Sequence, residues 1–170
     1  MSKLNANKTT KNDEYFEQLV NVNRVSKTVK GGRIFKFSAL MVVGDRKGSV
    51  GVGIGKSGEI PDAIRKGIEN AKKNMVKVSL YKDTIPHISL GKFGASRILL
   101  KPAPPGTGIL SGASARAVFE AAGISDIRAK LLRSNNPCNA VKAAIHGLQH
   151  MRNAHSIAET RGKALDEIVS

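Results

Sequence analysis

The chain has 170 residues, 41% of them apolar and 24% charged, which is ordinary for a folded soluble protein and allows one large domain or two small ones. Twenty-eight Lys and Arg face thirteen Asp and Glu, and a formal net charge of +15 is self-repelling, so a polyanionic partner is expected. No apolar run reaches membrane-spanning length and Trp is absent, which favours nucleic acid over a lipid surface; the single Cys138 excludes an internal disulfide and fits a reducing compartment.

Residues 1–12 are rich in Asn, Lys and Thr without periodicity and read as a disordered basic tail. They have no apolar h-region, which predicts no secretory signal and a cytosolic protein. A short helical start is open at Asp13–Gln18. Leu19–Lys27 reads as a strand and Val29–Gly32 as a turn. Arg33–Val43 is the clearest strand, with Phe35, Phe37, Ala39, Met41 and Val43 on a face expected to be core, and Lys36 and Ser38 on the other. Gly44–Gly48 is a hairpin loop, and Ser49–Gly55 returns as a strand that alternates glycine with Val50, Val52 and Ile54. Glu59–Met75 has helical spacing at Ile60, Ala63, Ile64, Ile68, Ala71 and Met75, with Pro61 in the first turn, where a missing N–H is harmless.

The second half opens with strands near Val76–Leu80, Ile85–Leu90 and Ser96–Lys101. Three prolines between Pro102 and Gly108 force a loop. Ser111–Ala122 is a small-residue helix stopped by Gly123, Ile127–Arg133 a strand, and Asn136-Pro137 the cap and first turn of a helix through Met151. Ser156–Ile168 is a last short helix. The predicted class is α+β, three antiparallel strands plus a helix and then a small α/β unit with a mixed sheet and two helices. The seam falls near residues 76–82, giving a basic tail (1–12), domains over 13–76 and 82–153, and a helical extension over 154–170. Both halves are basic: 16 basic against 7 acidic residues in 1–78, and 12 against 6 in 79–170.

Several motifs have chemical readings. Gly53-Ile-Gly55-Lys-Ser-Gly58 matches the dinucleotide fingerprint, but it follows an antiparallel hairpin, and no later strand supplies an acid for a ribose. Alternating glycines in a strand also suit close approach by another backbone. The Walker spacing fails because Val50 stands where the first Gly is required. Amides at Lys56–Glu59, opening a helix, would suit an anion. His146 and His150 have zinc-compatible spacing, but Gly147 replaces the zincin glutamate and Cys138 is the only thiol. Ser111 and Ser114 lack a nucleophile elbow. No acid/base constellation, cofactor, metal or small-molecule substrate is expected. Arg24, Lys27, Lys30, Arg33 and Lys36 surround Gly31-Gly32 with no acid among them. That pattern fits a glycine turn pressed against phosphates better than a solvated loop of mixed charge.

Two stretches carry a family resemblance. Val22–Arg33 (VNRVSKTVKGGR), followed by Phe35, Phe37, Val43-Gly44-Asp45 and Gly51-x-Gly53-x-Gly55-Lys56, resembles the bacterial small-subunit ribosomal protein number five family. So do Pro102, Gly106-Thr107-Gly108-Ile109, Arg116-Ala117-Val118, Ala122-Gly123, Asn136-Pro137 and Arg161-Gly162-Lys163. The similarity is colinear over residues 13–168, and Ile85–Phe93 departs most from the family pattern. The resemblance implies a double-stranded-RNA-binding-like first domain, its first helix short or missing, joined to the family's small α/β domain in one rigid body. It implies binding to small-subunit rRNA, contacts with ribosomal proteins four and eight, a place beside mRNA at the entry channel and an influence on decoding accuracy. By the same resemblance, Lys27, Thr28, Lys30, Gly31, Gly32 and Arg33 would touch rRNA of the head–body junction. Arg24, Lys36, Lys47 and Lys56 complete the candidate rRNA-binding residues. Gly106, Thr107, Gly108 and Ile109, with Arg116, would face protein four. A nucleotide-dependent enzyme and a free-standing double-stranded-RNA regulator are the competing readings.

Overall fold

The computed structural model describes residues 15–164 and residue 167; the tail predicted over 1–12, and most of 165–170, lie outside the described residues. The first sheet is antiparallel, in the order β1 (Phe16–Val29), β2 (Gly32–Gly44), β3 (Ser49–Ser57) and β4 (Met75–Lys77). Two expectations are corrected here. Phe16–Gln18 is strand rather than helix, paired with Val42–Gly44, because its side chains alternate in burial as strand residues do. Met75–Lys77 adds a fourth strand to this sheet beside Ser49–Gly51 instead of opening the second half.

Helix α1 (Ile60–Lys73) covers one face of this sheet. Pro61 lies in its first turn and Lys72 and Lys73 in its last, where cations offset the helix dipole. Glycine makes the close packing possible. A Cβ on Gly55 would lie 1.9 Å from the Ala63 carbonyl oxygen, and one on Gly53 2.1 Å from that of Gly67. The alternating glycines therefore form a rail on which α1 rests. The valines between them point the other way.

The second sheet has the order β5 (Ser89–Phe93), β6 (Ser96–Pro102), β8 (Ile127–Leu131) and β7 (Ile109–Leu110), with β7 parallel to β8 and the rest antiparallel. Strand β7 escapes the sequence reading because two residues carry no periodicity. The strand expected at Ile85–Leu90 begins instead at Ser89, and Ile85 is a core residue outside any strand. Helices α2 (Ala113–Ala122) and α3 (Pro137–Gln149) lie between the sheets, α2 against the first and α3 against β5 and β6. The Asn136 side chain accepts from the Cys138 N–H at 3.0 Å, as predicted for a cap. Gly123 ends α2 at φ 83°. The last helix, α4 (Ala154–Arg161), is shorter than expected and stops at Gly162 in the left-handed region.

One core spans both halves. Leu40, Val42 and Val50 of the first sheet join Val118 and Phe119 of α2 and Val141 and Leu148 of α3 in a single buried cluster. The β2–β3 loop fastens the joint: the Arg46 and Gly48 N–H groups donate to the Ala121 and Ala122 carbonyls at 3.0 Å each, satisfying the open end of α2.

Candidate nucleic-acid interface

Strand β3 ends at Ser57, opposite Phe37, so β1 and β2 continue past it as a two-stranded ribbon. Every residue from Asn23 to Lys36 is exposed. The ribbon is closed by Lys30 and Gly31 between the paired Val29 and Gly32, and Gly32 has φ 135°, a conformation open to glycine. The strand, turn and strand expected over Leu19–Val43 are thus one ordered hairpin, with the basic residues along its arms as well as at its tip. No acid occurs between Glu17 and Asp45.

Register sorts the side chains. Arg24, Ser26, Thr28, Arg33, Phe35 and Phe37 share one face; Val25, Lys27, Val29, Ile34 and Lys36 share the other. Phe35 is 49% exposed, which corrects its expected place in the core. It lies beyond the part of β2 that α1 covers, and its ring sits 4.1 Å beneath the Arg24 guanidinium. Phe37 is half-buried at the boundary. Sequence reasoning put Phe35 in the core and Val29 in a turn, and gave no reading of the exposed Ile34. The signal was their alternation with cations, which a core strand does not carry.

Residues 15–79 match the family described as Ribosomal protein S5, N-terminal domain, and residues 91–161 match Ribosomal protein S5, C-terminal domain. The chain belongs to the ribosomal protein S5 family. S5 proteins are structural, non-enzymatic components of the small ribosomal subunit in the cytoplasm, where they bind rRNA and other ribosomal proteins. The two-domain α+β architecture agrees with that family.

The remaining S5 candidates fall in four places. Lys47 is exposed in the β2–β3 loop, whose shape Asp45 holds: Oδ1 accepts the Lys47 and Ser49 N–H groups at 2.7 and 2.8 Å. Burial opposes ionisation of Asp45 as the largest single influence. The backbone N–H groups of Ser49 and Lys47, with the Ser49 side chain, together outweigh it and hold the carboxyl below its ordinary 3.8. Lys56 is exposed near the end of β3, opposite Ser38. This corrects the expected anion nest at Lys56–Glu59, since Lys56 and Ser57 are ladder residues and α1 starts only at Ile60.

Gly106, Thr107, Gly108 and Ile109 lie some distance along the chain from the ribbon, in the β6–β7 loop and at the start of β7. Gly106 and Gly108 have φ of 84° and 74°. The loop is pinned by the Thr107 hydroxyl donating to the Pro104 carbonyl at 2.8 Å and by the Gly108 N–H donating to buried Asp126 at 2.7 Å. Arg116, on the first turn of α2, is exposed and pairs with Glu120 at 2.8 Å.

The histidines stack, with His146 and His150 ring centroids 4.2 Å apart. Burial first, then the charges of His150 and Lys92, push His146 below its ordinary 6.5. Among the described residues no cluster of three or more His, Cys, Asp or Glu is assembled, and no described helix is long and apolar enough to cross a membrane. Cys138 packs half-buried against the shared core.

Proposed function

We propose that this S5-family protein sets its β1–β2 ribbon on small-subunit rRNA at the head–body junction, with Lys27–Arg33 at the contact and Arg24, Lys36, Lys47 and Lys56 on flanking phosphates. The Gly106–Ile109 loop and Arg116 face ribosomal protein four, with protein eight as a further neighbour. The assembled protein lies beside mRNA at the entry channel and influences decoding accuracy. Residues 13–76 and 82–153 form its two domains. The observation that carries this reading is the exposed ribbon, with five cations, no acid and a glycine tip. Its mechanism is displacement of counterions from the RNA and close backbone approach at the tip, without chemistry on a substrate.

The test is incorporation of tagged protein into small subunits, followed by sedimentation at moderate salt and magnesium. Wild type is expected to migrate stoichiometrically with the subunit. The pair Lys30→Glu and Arg33→Glu is expected to stay folded by circular dichroism and to lose RNA association. Normal incorporation of the folded double variant would remove the ribbon from the account.

A further inference from the structure

Strand β4 pairs only with Ser49–Gly51, so β3 runs on from Val52 with an open edge. Asn70 of α1 lies across that edge, its Nδ2 donating to the Ile54 carbonyl at 3.0 Å. One turn later the Asn74 Nδ2 donates to the Asn70 carbonyl at 2.9 Å. Both side chains are exposed. Each amide is held by its nitrogen, and its Oδ1 is left as an acceptor.

The facing wall belongs to the second half. A Cβ on Gly91 would lie 2.0 Å from the Ala143 carbonyl oxygen, so β5 rests directly on α3 and sets Phe93 beside Lys142. The Phe93 ring is 40% exposed, and the Lys142 ammonium lies 4.8 Å from its centroid. His146, one turn along α3, is held toward its neutral form, in which the ring carries one donor and one acceptor. Between these walls opens a cleft of ≈ 610 Å³, with Val52, Ile54 and Ile145 as its apolar lining. Small-ligand sites span roughly 300–1,000 Å³ and combine such a lining with a few convergent polar groups.

We infer that this cleft, at the seam of the two halves, binds a single nucleoside monophosphate whose base presents an exocyclic amino group. The Phe93 ring supplies a stacking face, and a base seated on it releases Lys142 to the phosphate. The Oδ1 acceptors of Asn70 and Asn74 suit the amino group of adenine, cytosine or guanine and not the carbonyls of uracil. Asn70 blocks addition of a peptide strand to the β3 edge, which argues against a protein segment as the occupant. A free nucleotide and an unpaired nucleotide of rRNA share this chemistry. The inference goes beyond the ribbon reading, and the cleft shares no residue with the ribbon.

The test is equilibrium dialysis of the full-length protein with adenosine monophosphate (AMP) and uridine monophosphate (UMP). AMP is expected to bind with a Kd of about 1 mM or tighter, and about fivefold or more ahead of UMP. Phe93→Leu keeps an apolar side chain without a ring face. It is expected to keep the wild-type circular dichroism spectrum and to weaken AMP by about five- to 150-fold. Absence of AMP binding, equal binding of UMP, or unchanged affinity in the folded variant overturns the inference; the first two outcomes need no variant. An azido derivative of AMP is expected to label peptides containing Phe93 or Lys142 in the free protein. Labelling that persists in assembled small subunits assigns the cleft to a free nucleotide. Labelling lost there, with a benzophenone side chain at Gln149 cross-linking to rRNA, assigns it to an rRNA nucleotide. Labelling lost without a cross-link to RNA overturns the inference. Sedimentation of the ribbon variant reports on the functional reading separately.

Discussion

Gly55 and Gly31 are chemically identical and structurally opposite. A methyl group on Gly55 meets the Ala63 carbonyl and the Gly67 amide nitrogen at 1.9 and 2.4 Å, both backbone atoms of α1 that no rotamer can move. Gly55→Ala is expected to lift the helix from the sheet and destabilise the fold by about 1–3 kcal/mol, measured as a lower urea midpoint. A Cβ on Gly31 meets nothing within 4 Å, so Gly31→Ala should leave stability within about 0.5 kcal/mol of wild type and act only on RNA contact. Asp45 makes the pH-dependent case. Its folded carboxyl titrates below 3.8, so the stability it contributes is present above that value and lost as the pH falls through the folded pKa. Asp45→Asn keeps an oxygen acceptor for the Lys47 and Ser49 amides but cannot titrate. Acid unfolding followed by circular dichroism is expected to show this component in wild type and not in the variant.

At the scale of elements, the ribbon owes its exposure to unequal strand lengths. Strands β1 and β2 pair to the tip at Val29 and Gly32, whereas β3 stops opposite Phe37. If all five ribbon cations meet phosphate, association should fall with salt at a log–log slope of roughly −4.5, about 500-fold between 50 and 200 mM, using duplex coefficients. Replacing Lys30 and Arg33 by Gln should reduce the slope to roughly −2.7 and the loss to about 40-fold, read by filter binding to small-subunit rRNA. Much of this was legible in the sequence. The period-two run Arg33–Val43, the glycine alternation from Gly51, the Asn136-Pro137 cap and the Gly123 stop each have local causes, and local causes are written locally. The place of Phe35 was not legible. Alternation marks a face but not what covers it, and cover ends where β3 and α1 end. For the same reason the short strand β7 was missed and β4, expected near Val76–Leu80, was assigned to the wrong half: their places depend on partners, Ser49–Gly51 for β4 and Ile127–Arg128 for β7. The candidate site was legible in composition and in its strand–turn–strand form, but the sorting of its side chains onto two faces was not, because that depends on cross-strand register.

The whole molecule unfolds as its core dictates. Phe119 is fully buried at the joint, in the cluster that includes Leu40 and Val42 of the first sheet. Phe119→Ala should cost about 3–5 kcal/mol, and amide exchange should accelerate in Ala39–Val43 of β2 as well as in α2. Acceleration confined to α2 would show that the halves unfold independently. The same coupling argues against the free-standing regulator: without α2 and α3, a fragment of the first sheet would expose Leu40, Val42 and Val50 to water.

The ribbon has one more property, set by what it lacks. Strand β1 is an edge along its whole length, and past Phe37 the outer side of β2 is an edge too, so the projecting hairpin offers unpaired amides and carbonyls on both flanks. Val25, Val29, Ile34 and Phe35 make it sticky as well. Mutual repulsion among its cations opposes edge-to-edge pairing of two free copies, and that opposition weakens as the Debye length shrinks from ~10 Å at 0.1 M salt to ~3 Å at 1 M. The charge that suits the ribbon to a polyanion therefore also works against its pairing with a second copy of itself.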